Sequence, residues 1–121
     1  MTVIPAVKAL ILRDGKILVL MRNNAAGTPD LPGGKIHRGE DKVTCLLREV
    51  KEETHLDVTV VRLLGKAAIP FSSLTIPATV YLCAASGTIR LSDEHKTYAW
   101  VPLKEIQESY PMWIRGIAQK V

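Results

Sequence analysis

Apolar residues occur along this chain in short runs, separated by glycine, proline and other turn-forming residues. Runs of this length, rich in alternating or β-branched apolar residues, are typical of β-strands. Asp14 and Gly15 stand between the first two runs and predict a two-residue hairpin turn. We therefore predict strands at residues 3–12, 17–22, 56–68, 76–85 and 98–101.

One segment has helical periodicity instead. Within residues 41–54 the apolar positions follow an i, i+3, i+4, i+7 spacing, which predicts one packed helix face. Asp41 is placed to cap the N-terminus of this helix. Shorter helical patterns cover residues 103–109 and 113–120, so the element order predicts a mixed β-sheet between helices, an α/β fold. The predicted packed face of the long helix comprises Val43, Leu46, Leu47, Val50 and Thr54.

Length and composition fit one domain. The chain has 121 residues, 47% of them hydrophobic, which is the usual size of a single domain and enough apolar material for a core. It contains no internal repeat, low-complexity run or long linker, so we predict a single domain over residues 1–121. The sequence also has no signal-peptide pattern and no apolar stretch of about 20 residues, and we expect a cytoplasmic protein without a membrane partner.

The net charge of +4 favours anionic partners, nucleotides before nucleic acids. Lys and Arg form no long block and no basic helix with interleaved aromatic residues, so a nucleic-acid-binding function is not indicated. Cys45 and Cys83 are far apart and lack zinc-type histidine spacing, so neither a zinc site nor a redox dithiol is predicted. His37, His55 and His95 form no motif and are interpreted as surface residues.

The predicted helix at residues 41–54 carries three carboxylates, Glu49, Glu52 and Glu53, at positions i, i+3 and i+4. At about 100° per residue they share one side of the helix, where like charges destabilise it by about 0.2–0.5 kcal/mol per pair. A divalent cation would remove this conflict. Oxygen ligands suit Mg²⁺, with Mn²⁺ as the second candidate. The alternative is a solvated acidic face, the usual role of a charge cluster.

A glycine turn, Pro32-Gly33-Gly34, precedes this acidic helix. Two adjacent glycines permit positive φ and let the backbone approach a ligand closely. A carbonyl oxygen in the turn could complete a metal site, and Lys35 could meet a phosphate as a point charge. Together, the turn and the acids favour a site for a metal ion and a phosphate over a solvated face.

Residues 34–56 resemble the Nudix box of MutT-like hydrolases. Gly34 is followed after five residues by Glu40, and after seven more by Arg48-Glu49-Val50-Lys51-Glu52-Glu53. Every charged position of the family signature matches. His55 departs from it, because the family normally has glycine here and a left-handed helix C-cap suits glycine.

This resemblance implies an α/β/α Nudix sandwich and a metal-dependent pyrophosphohydrolase. Its substrate would be a nucleoside diphosphate linked to another moiety, attacked by water at one phosphorus. Glu53 and Glu52 would be the main metal ligands, with the carbonyl of Gly33 or Gly34 as a further one. Glu49 would be a ligand or the general base.

The resemblance also implies supporting residues. Glu40 would orient the ligands, and Arg48 would hold Glu52 or its neighbours. Glu94, next to Asp93, precedes the last predicted strand, where in similar proteins an acid joins the metal or acts as base. A solvent-facing turn is the alternative for this segment. Lys35 is the predicted phosphate contact.

Among substrates, we rank a nucleoside or deoxynucleoside triphosphate, cleaved to the monophosphate and pyrophosphate, ahead of ADP-ribose or a nucleotide sugar. Pro70, fifteen residues after His55, resembles the placement in ADP-ribose-directed members. A non-catalytic nucleotide-sensing Nudix domain and an RNA-end-processing hydrolase are further hypotheses. A homodimer is compatible with the resemblance, although no predicted surface indicates one.

Overall fold

The computed structural model describes residues 3–121, which form seven strands and three helices. All five predicted strands and all three predicted helices are present, with ends that differ by a few residues. The strands are β1 (Ala6–Arg13), β2 (Lys16–Arg22), β3 (Pro29–Asp30), β4 (Gly33–Lys35), β5 (Asp57–Phe71), β6 (Leu74–Ser86) and β7 (His95–Pro102). The helices are α1 (Lys42–Thr54), α2 (Leu103–Ser109) and α3 (Met112–Ala118).

Two of these strands, β3 and β4, were not predicted, because two or three residues are too few to show a periodic pattern. The hairpin between β1 and β2 has the expected form. Asp14 and Gly15 have φ values of 52° and 75°, and Arg13 pairs directly with Lys16 across the turn. Positive φ at both central residues matches the right-handed twist of the paired strands.

The sheet has the order β3-β2-β1-β6-β5, with β4 also pairing to β1 and β7 to β2. β1 runs parallel to β6, from Ala6 opposite Ala78 to Ile11 opposite Cys83, whereas β2 and β4 pair antiparallel to β1. The predicted mixed sheet is therefore confirmed. β4 lies alongside the first residues of β1, which places the glycine turn at one end of the sheet.

Side chains of β1 and β2 alternate between two hydrophobic cores, one on each face of the sheet. Leu10 and Ile17 belong to the core beneath α2 and α3, whereas Ile11 and Leu18 belong to the core beneath α1. Because successive side chains of a strand point to opposite faces, these two strands serve both cores. The result is the three-layer α/β/α arrangement expected from the sequence.

Asp41 caps α1 as predicted, and its side chain accepts a hydrogen bond from the Thr44 N–H. The predicted packed face is wrong at two positions, because Val43 is 38% and Leu47 41% exposed. The helix is instead rotated so that Glu53 faces inward, which carries these two apolar residues toward solvent. The buried positions of α1 are Cys45, Leu46, Val50, Glu53 and Thr54.

His55 ends α1 in the left-handed conformation, with φ of 65°, where glycine would be favoured. Its N–H donates to the Lys51 carbonyl, and its ring Nδ1 lies 2.8 Å from the Arg90 carbonyl oxygen. The backbone therefore keeps the geometry of a glycine cap, and the ring forms a contact that glycine could not supply.

β5 and β6 form a long hairpin with register shifts near Val60 and Leu63. The tip of this hairpin, at Phe71, extends to the end of the sheet where the glycine turn lies. Within residues 3–121, no helix is both long and apolar enough to cross a membrane.

Candidate functional site

A cleft of about 700 Å³ opens at the end of the sheet marked by the glycine turn. One side carries carboxylates from α1 and from the loop before β7, and the other side carries the hairpin tip and the start of α3. The lining of the cleft includes Lys8, Arg22, Asp30, Gly33, Gly34, Lys35, Glu49, Glu53, Pro70, Phe71, Glu94 and Trp113.

Glu53 forms the floor of this cleft and is only 3% exposed. Its Oε1 accepts a hydrogen bond of 2.8 Å from the Gly33 N–H. Burial raises the pKa of Glu53 to about 8, although the Gly33 hydrogen bond and the charge of Lys8 act in the opposite direction. A cation bound to this carboxylate would favour the anion further and offset the cost of its burial.

Gly33 is required for this contact. Its φ of 144° lies in the region that favours glycine, and a Cβ at this position would collide with the Val7 carbonyl oxygen. The β4 strand can therefore lie against β1 and present its N–H to Glu53 only without a side chain here.

Gly34 makes room for Glu49. A Cβ on Gly34 would lie 2.5 Å from the carboxyl carbon of Glu49, so this carboxylate rests directly against the turn. Arg48 Nη1 donates to Glu49 Oε1 at 3.0 Å and holds it from the other side. The position of the Glu49 carboxylate is thus defined by the glycine and by the guanidinium.

Arg48 connects the acids of α1 to the preceding loop. It binds Glu40 through two hydrogen bonds, Nε to Oε2 at 2.8 Å and Nη2 to Oε1 at 3.0 Å. These bonds lower the pKa of Glu40 to about 2. Arg48 also contacts Glu52 at 3.3 Å. The geometry is that of a positioning residue, because planar two-point binding fixes both partners.

Glu52 is placed differently from the other two acids of α1. Its side chain is 59% exposed and lies outside the cleft wall, where it contacts Arg48. The helix spacing does put the three acids on neighbouring positions, but the tertiary fold buries Glu53, half-buries Glu49 and leaves Glu52 in solvent.

The loop before β7 brings Glu94 and His95 to Glu53. One ligand atom from each of the three residues lies within 4.8 Å of the others. Glu94 is exposed, whereas His95 is buried and its side chain is inaccessible to solvent. The prediction that His95 is a surface residue is therefore wrong. Counting back in steps of two from buried Val101 would have placed His95 on the inward face of the strand.

Asp30 lies at the same end of the cleft with two cationic partners. Its carboxylate binds Lys8 Nζ at 3.0 Å and Arg22 Nη1 at 3.0 Å, and His95 Nε2 is 3.5 Å away. Burial would raise the pKa of Asp30, but the charges and hydrogen bonds of these partners hold it well below its usual range. The group is an anion that anchors Lys8, which is itself buried.

The opposite wall is apolar and aromatic. Phe71 at the hairpin tip is 53% exposed, and Pro70 and the half-buried Trp113 lie beside it. The chain contains six aromatic residues, and nothing in their sequence positions indicates that Phe71 and Trp113 line one cleft. Their separation in sequence hides that the hairpin and α3 meet at one cleft.

The residues present fit a divalent cation. Buried Glu53 and neighbouring Glu94 supply carboxylate oxygens, and Glu49 lines the same cleft. Gly33 lies against Glu53, and Gly34 lies against Glu49. Hard cations such as Mg²⁺ and Mn²⁺ bind oxygen ligands of this kind. Exposed Lys35, at the end of β4, adds positive charge to the rim.

Comparison with known sequences gives a consistent result. The pattern that describes the NUDIX domain matches residues 3–120. A MutT-like protein of Streptomyces ambofaciens is 34% identical over 100 residues, covering 82% of this chain and 63% of that protein. A CTP pyrophosphohydrolase of Escherichia coli (strain K12) is 40% identical over 63 residues, covering 50% of this chain and 47% of that protein.

An ADP-ribose pyrophosphatase of Methanocaldococcus jannaschii is 42% identical over 67 residues, covering 54% of this chain and 40% of that protein. The matches thus span less than two thirds of the length of each relative. Among solved structures, the MutT protein from Methanosarcina mazei Go1 superposes with a TM-score of 0.86 at 31% identity, covering 97% of this chain and 91% of the other. A MutT NUDIX hydrolase from Burkholderia pseudomallei gives 0.87 at 28% identity, covering 100% and 99%.

Proposed function

The chain belongs to the NUDIX hydrolase family, and we propose that it is a divalent-metal-dependent pyrophosphohydrolase that cleaves a nucleoside or deoxynucleoside triphosphate to the monophosphate and pyrophosphate. The observation that carries this proposal is the buried Glu53 carboxylate. It faces a cleft of about 700 Å³, next to Glu94 and close to Glu49.

Glu53 and Glu94 would hold the metal, together with the carbonyl of Gly33 or Gly34. When bound, the cation would neutralise phosphate charge and lower the pKa of a bound water. Exposed Glu52 is one helical turn from Glu49 and would serve an ion at the cleft mouth.

Residues of the chain would also supply the general base and the cations that bind phosphate. We assign Glu49 as the base that accepts the proton of the attacking water, because Arg48 and Gly34 fix its carboxylate at the cleft wall. As the water oxygen bonds to phosphorus, the anhydride P–O bond breaks and pyrophosphate leaves. Lys35 and Arg22 line the same cleft and would bind phosphate oxygens as cations.

The nucleoside would occupy the other wall, against Phe71 and Trp113. Both side chains line the cleft and offer flat apolar surface to a base, opposite the carboxylates. The similarity to a MutT-like protein and to a CTP pyrophosphohydrolase favours a triphosphate.

ADP-ribose is the second candidate. Pro70 lines the cleft at the hairpin tip, and the ADP-ribose pyrophosphatase of M. jannaschii is 42% identical over its matched segment. A cleft that accepts a nucleoside and a diphosphate would accept either class, so the distinction depends on contacts beyond the second phosphate.

Product analysis tests this proposal. The purified chain is incubated with Mg²⁺ and with nucleoside triphosphates, ADP-ribose, nucleotide sugars and 5′-capped RNA. We expect release of pyrophosphate and a monophosphate from one triphosphate group. Selective cleavage of ADP-ribose would replace the substrate assignment, and cleavage of the RNA end would favour the RNA-processing hypothesis. Nucleotide binding without turnover of any compound, with Mg²⁺ and Mn²⁺ both tried, would indicate the sensor and overturn the proposal.

A further inference from the structure

His95 is a buried polar side chain whose Nε2 lies 3.5 Å from Asp30 Oδ2, longer than a good hydrogen bond. Its side chain has no exposed surface, and neither Nδ1 nor Nε2 makes a hydrogen bond within residues 3–121. A buried polar group that lacks a partner costs about 1–3 kcal/mol, so such groups are rare unless they bind something. Within residues 3–121, Arg115 Nε is also buried without a hydrogen-bond partner, but Arg115 does not line the cleft.

The neighbours of His95 identify what it could bind. A ring nitrogen of His95 and carboxylate oxygens of Glu53 and Glu94 lie within 4.8 Å of one another. Ligand atoms about 2.0–2.2 Å from one cation are at most about 4.4 Å apart. If the exposed side chain of Glu94 moved by a few tenths of an ångström, the three ligand atoms would be close enough to bind one cation.

We propose that His95 is a nitrogen ligand of the metal ion held by Glu53 and Glu94. This inference rests on the proposed function, because it concerns the same metal centre, and it adds a ligand that the helix motif does not contain. The site would then be a mixed nitrogen and oxygen site. Imidazole binds Mn²⁺ and later transition metals better than Mg²⁺, so the centre would prefer Mn²⁺ or Co²⁺ to Mg²⁺.

Asp30 is placed to orient the ring. Its Oδ2 lies 3.5 Å from His95 Nε2, and its carboxylate is fixed by Lys8 and Arg22. Metal-binding histidines usually direct their second ring nitrogen toward a carboxylate or carbonyl, which fixes the tautomer. A proton on Nε2, directed at Asp30, would leave the Nδ1 lone pair free for a cation.

A purely structural ion pair with Asp30 accounts for the burial of His95 less well than metal coordination does. Asp30 already has two cationic partners within 3.0 Å, so it does not need a third. An ion pair through Nε2 would also leave Nδ1 buried and without a partner. Coordination of a metal ion through Nδ1 would give both ring nitrogens a partner.

Pulsed electron paramagnetic resonance of the intact chain loaded with Mn²⁺ alone tests this directly. Protein labelled with ¹⁵N only at histidine is compared with unlabelled protein. We expect nitrogen modulation of the bound Mn²⁺ signal that changes from ¹⁴N to ¹⁵N frequencies on labelling. Bound Mn²⁺ without histidine modulation, or no bound Mn²⁺, would overturn the proposal. The result does not depend on whether a variant folds.

Two variants assign the histidine. His95→Gln should abolish the modulation and weaken Mn²⁺ binding by roughly 10-fold or more, with a smaller effect on Mg²⁺. His55→Asn is the matched control, because it replaces an exposed histidine that does not line the cleft with a residue that tolerates its left-handed backbone. It should leave the modulation and the affinity unchanged. Modulation that persists in His95→Gln would overturn the assignment.

This test separates the two proposals. If the chain hydrolyses a nucleotide in the presence of metal but shows no histidine modulation, the inference about His95 fails and the proposed function stands. If Mn²⁺ binds with histidine modulation but no nucleotide is cleaved, the metal centre stands and the proposed function fails.

Discussion

Gly34→Ala should inactivate the chain without unfolding it. The added Cβ would lie 2.5 Å from Glu49 Cδ and 2.6 and 2.8 Å from its two carboxylate oxygens. Ordinary carbon contacts are about 3.5–4.0 Å, so the carboxylate must move by about 1 Å. Because it is the end of a flexible side chain facing a cleft, it can do so at little cost to stability.

The movement should reduce catalysis strongly. It would move Glu49 out of the position in which its 3.0 Å hydrogen bond with Arg48 holds the carboxylate. A displacement of about 1 Å at a reacting group costs about 10²-fold in rate. We therefore expect kcat/KM to fall by about 100-fold, with the melting temperature changed by no more than a few degrees.

The assay is the initial rate on the preferred nucleotide with saturating Mg²⁺, together with thermal unfolding. Gly116→Ala is the matched control. It lies in α3 with nothing within 4 Å of the added Cβ, so activity should be unchanged and stability should rise by about 0.5–1 kcal/mol.

Gly34→Ala and Glu49→Ala should not have additive effects on the rate. In a Glu49→Ala background the clash no longer exists, so Gly34→Ala should cause no further loss of rate. Activity within about threefold of the parent in the single Gly34→Ala variant would refute the role given to the Glu49 position. A further 100-fold loss in the Glu49→Ala background would show that the turn acts through another group.

Two further predictions concern stability. The pKa of Glu40, lowered from 4.5 to about 2 by Arg48, means that this contact stabilises the fold above about pH 4.5 and is lost as the pH falls toward 2. The melting temperatures of the parent and Glu40→Gln should therefore differ above pH 5 and converge by pH 2, and a difference that is unchanged at pH 2 would contradict the ion pair. For His55→Gly, relief of the left-handed backbone is worth about 1–2 kcal/mol and loss of the Arg90 contact costs about 0.5–1.5 kcal/mol, so calorimetry should show a gain of about 0.5 kcal/mol. A clear loss of stability would mean that the Arg90 contact dominates.

Local signals allowed much of this fold to be predicted. The cap at Asp41, the turn at Asp14 and Gly15, and the alternation along β1 and β2 are decided by a few neighbouring residues. Such features do not depend on where distant segments lie. The Nudix-like spacing likewise predicted that Glu49 and Glu53 lie beside the glycine turn.

Two features that the sequence did not predict, the rotation of α1 and the burial of His95, depend on contacts between distant segments. The rotation of α1 follows from the hydrogen bond between Gly33 and Glu53, so helical periodicity alone assigned Val43 and Leu47 to the wrong face. Burial of His95 depends on the loop before β7 folding over Glu53, across about 40 residues of sequence. Strand alternation indicates at most the face on which His95 lies, whereas its neighbours Glu53 and Asp30 are brought to it only by the fold.

We propose that Glu53 anchors the metal centre at which this chain hydrolyses a nucleotide. The most direct measurement compares initial hydrolysis rates of the parent and Glu53→Gln with Mg²⁺, using Glu108→Gln on the exposed side of α2 as the matched control. Glutamine keeps an oxygen for the Gly33 N–H but removes the charge that would bind the metal. We expect the hydrolysis rate to fall by at least about 100-fold in Glu53→Gln and to stay unchanged in the control. Equal rates in folded Glu53→Gln and parent protein would contradict it.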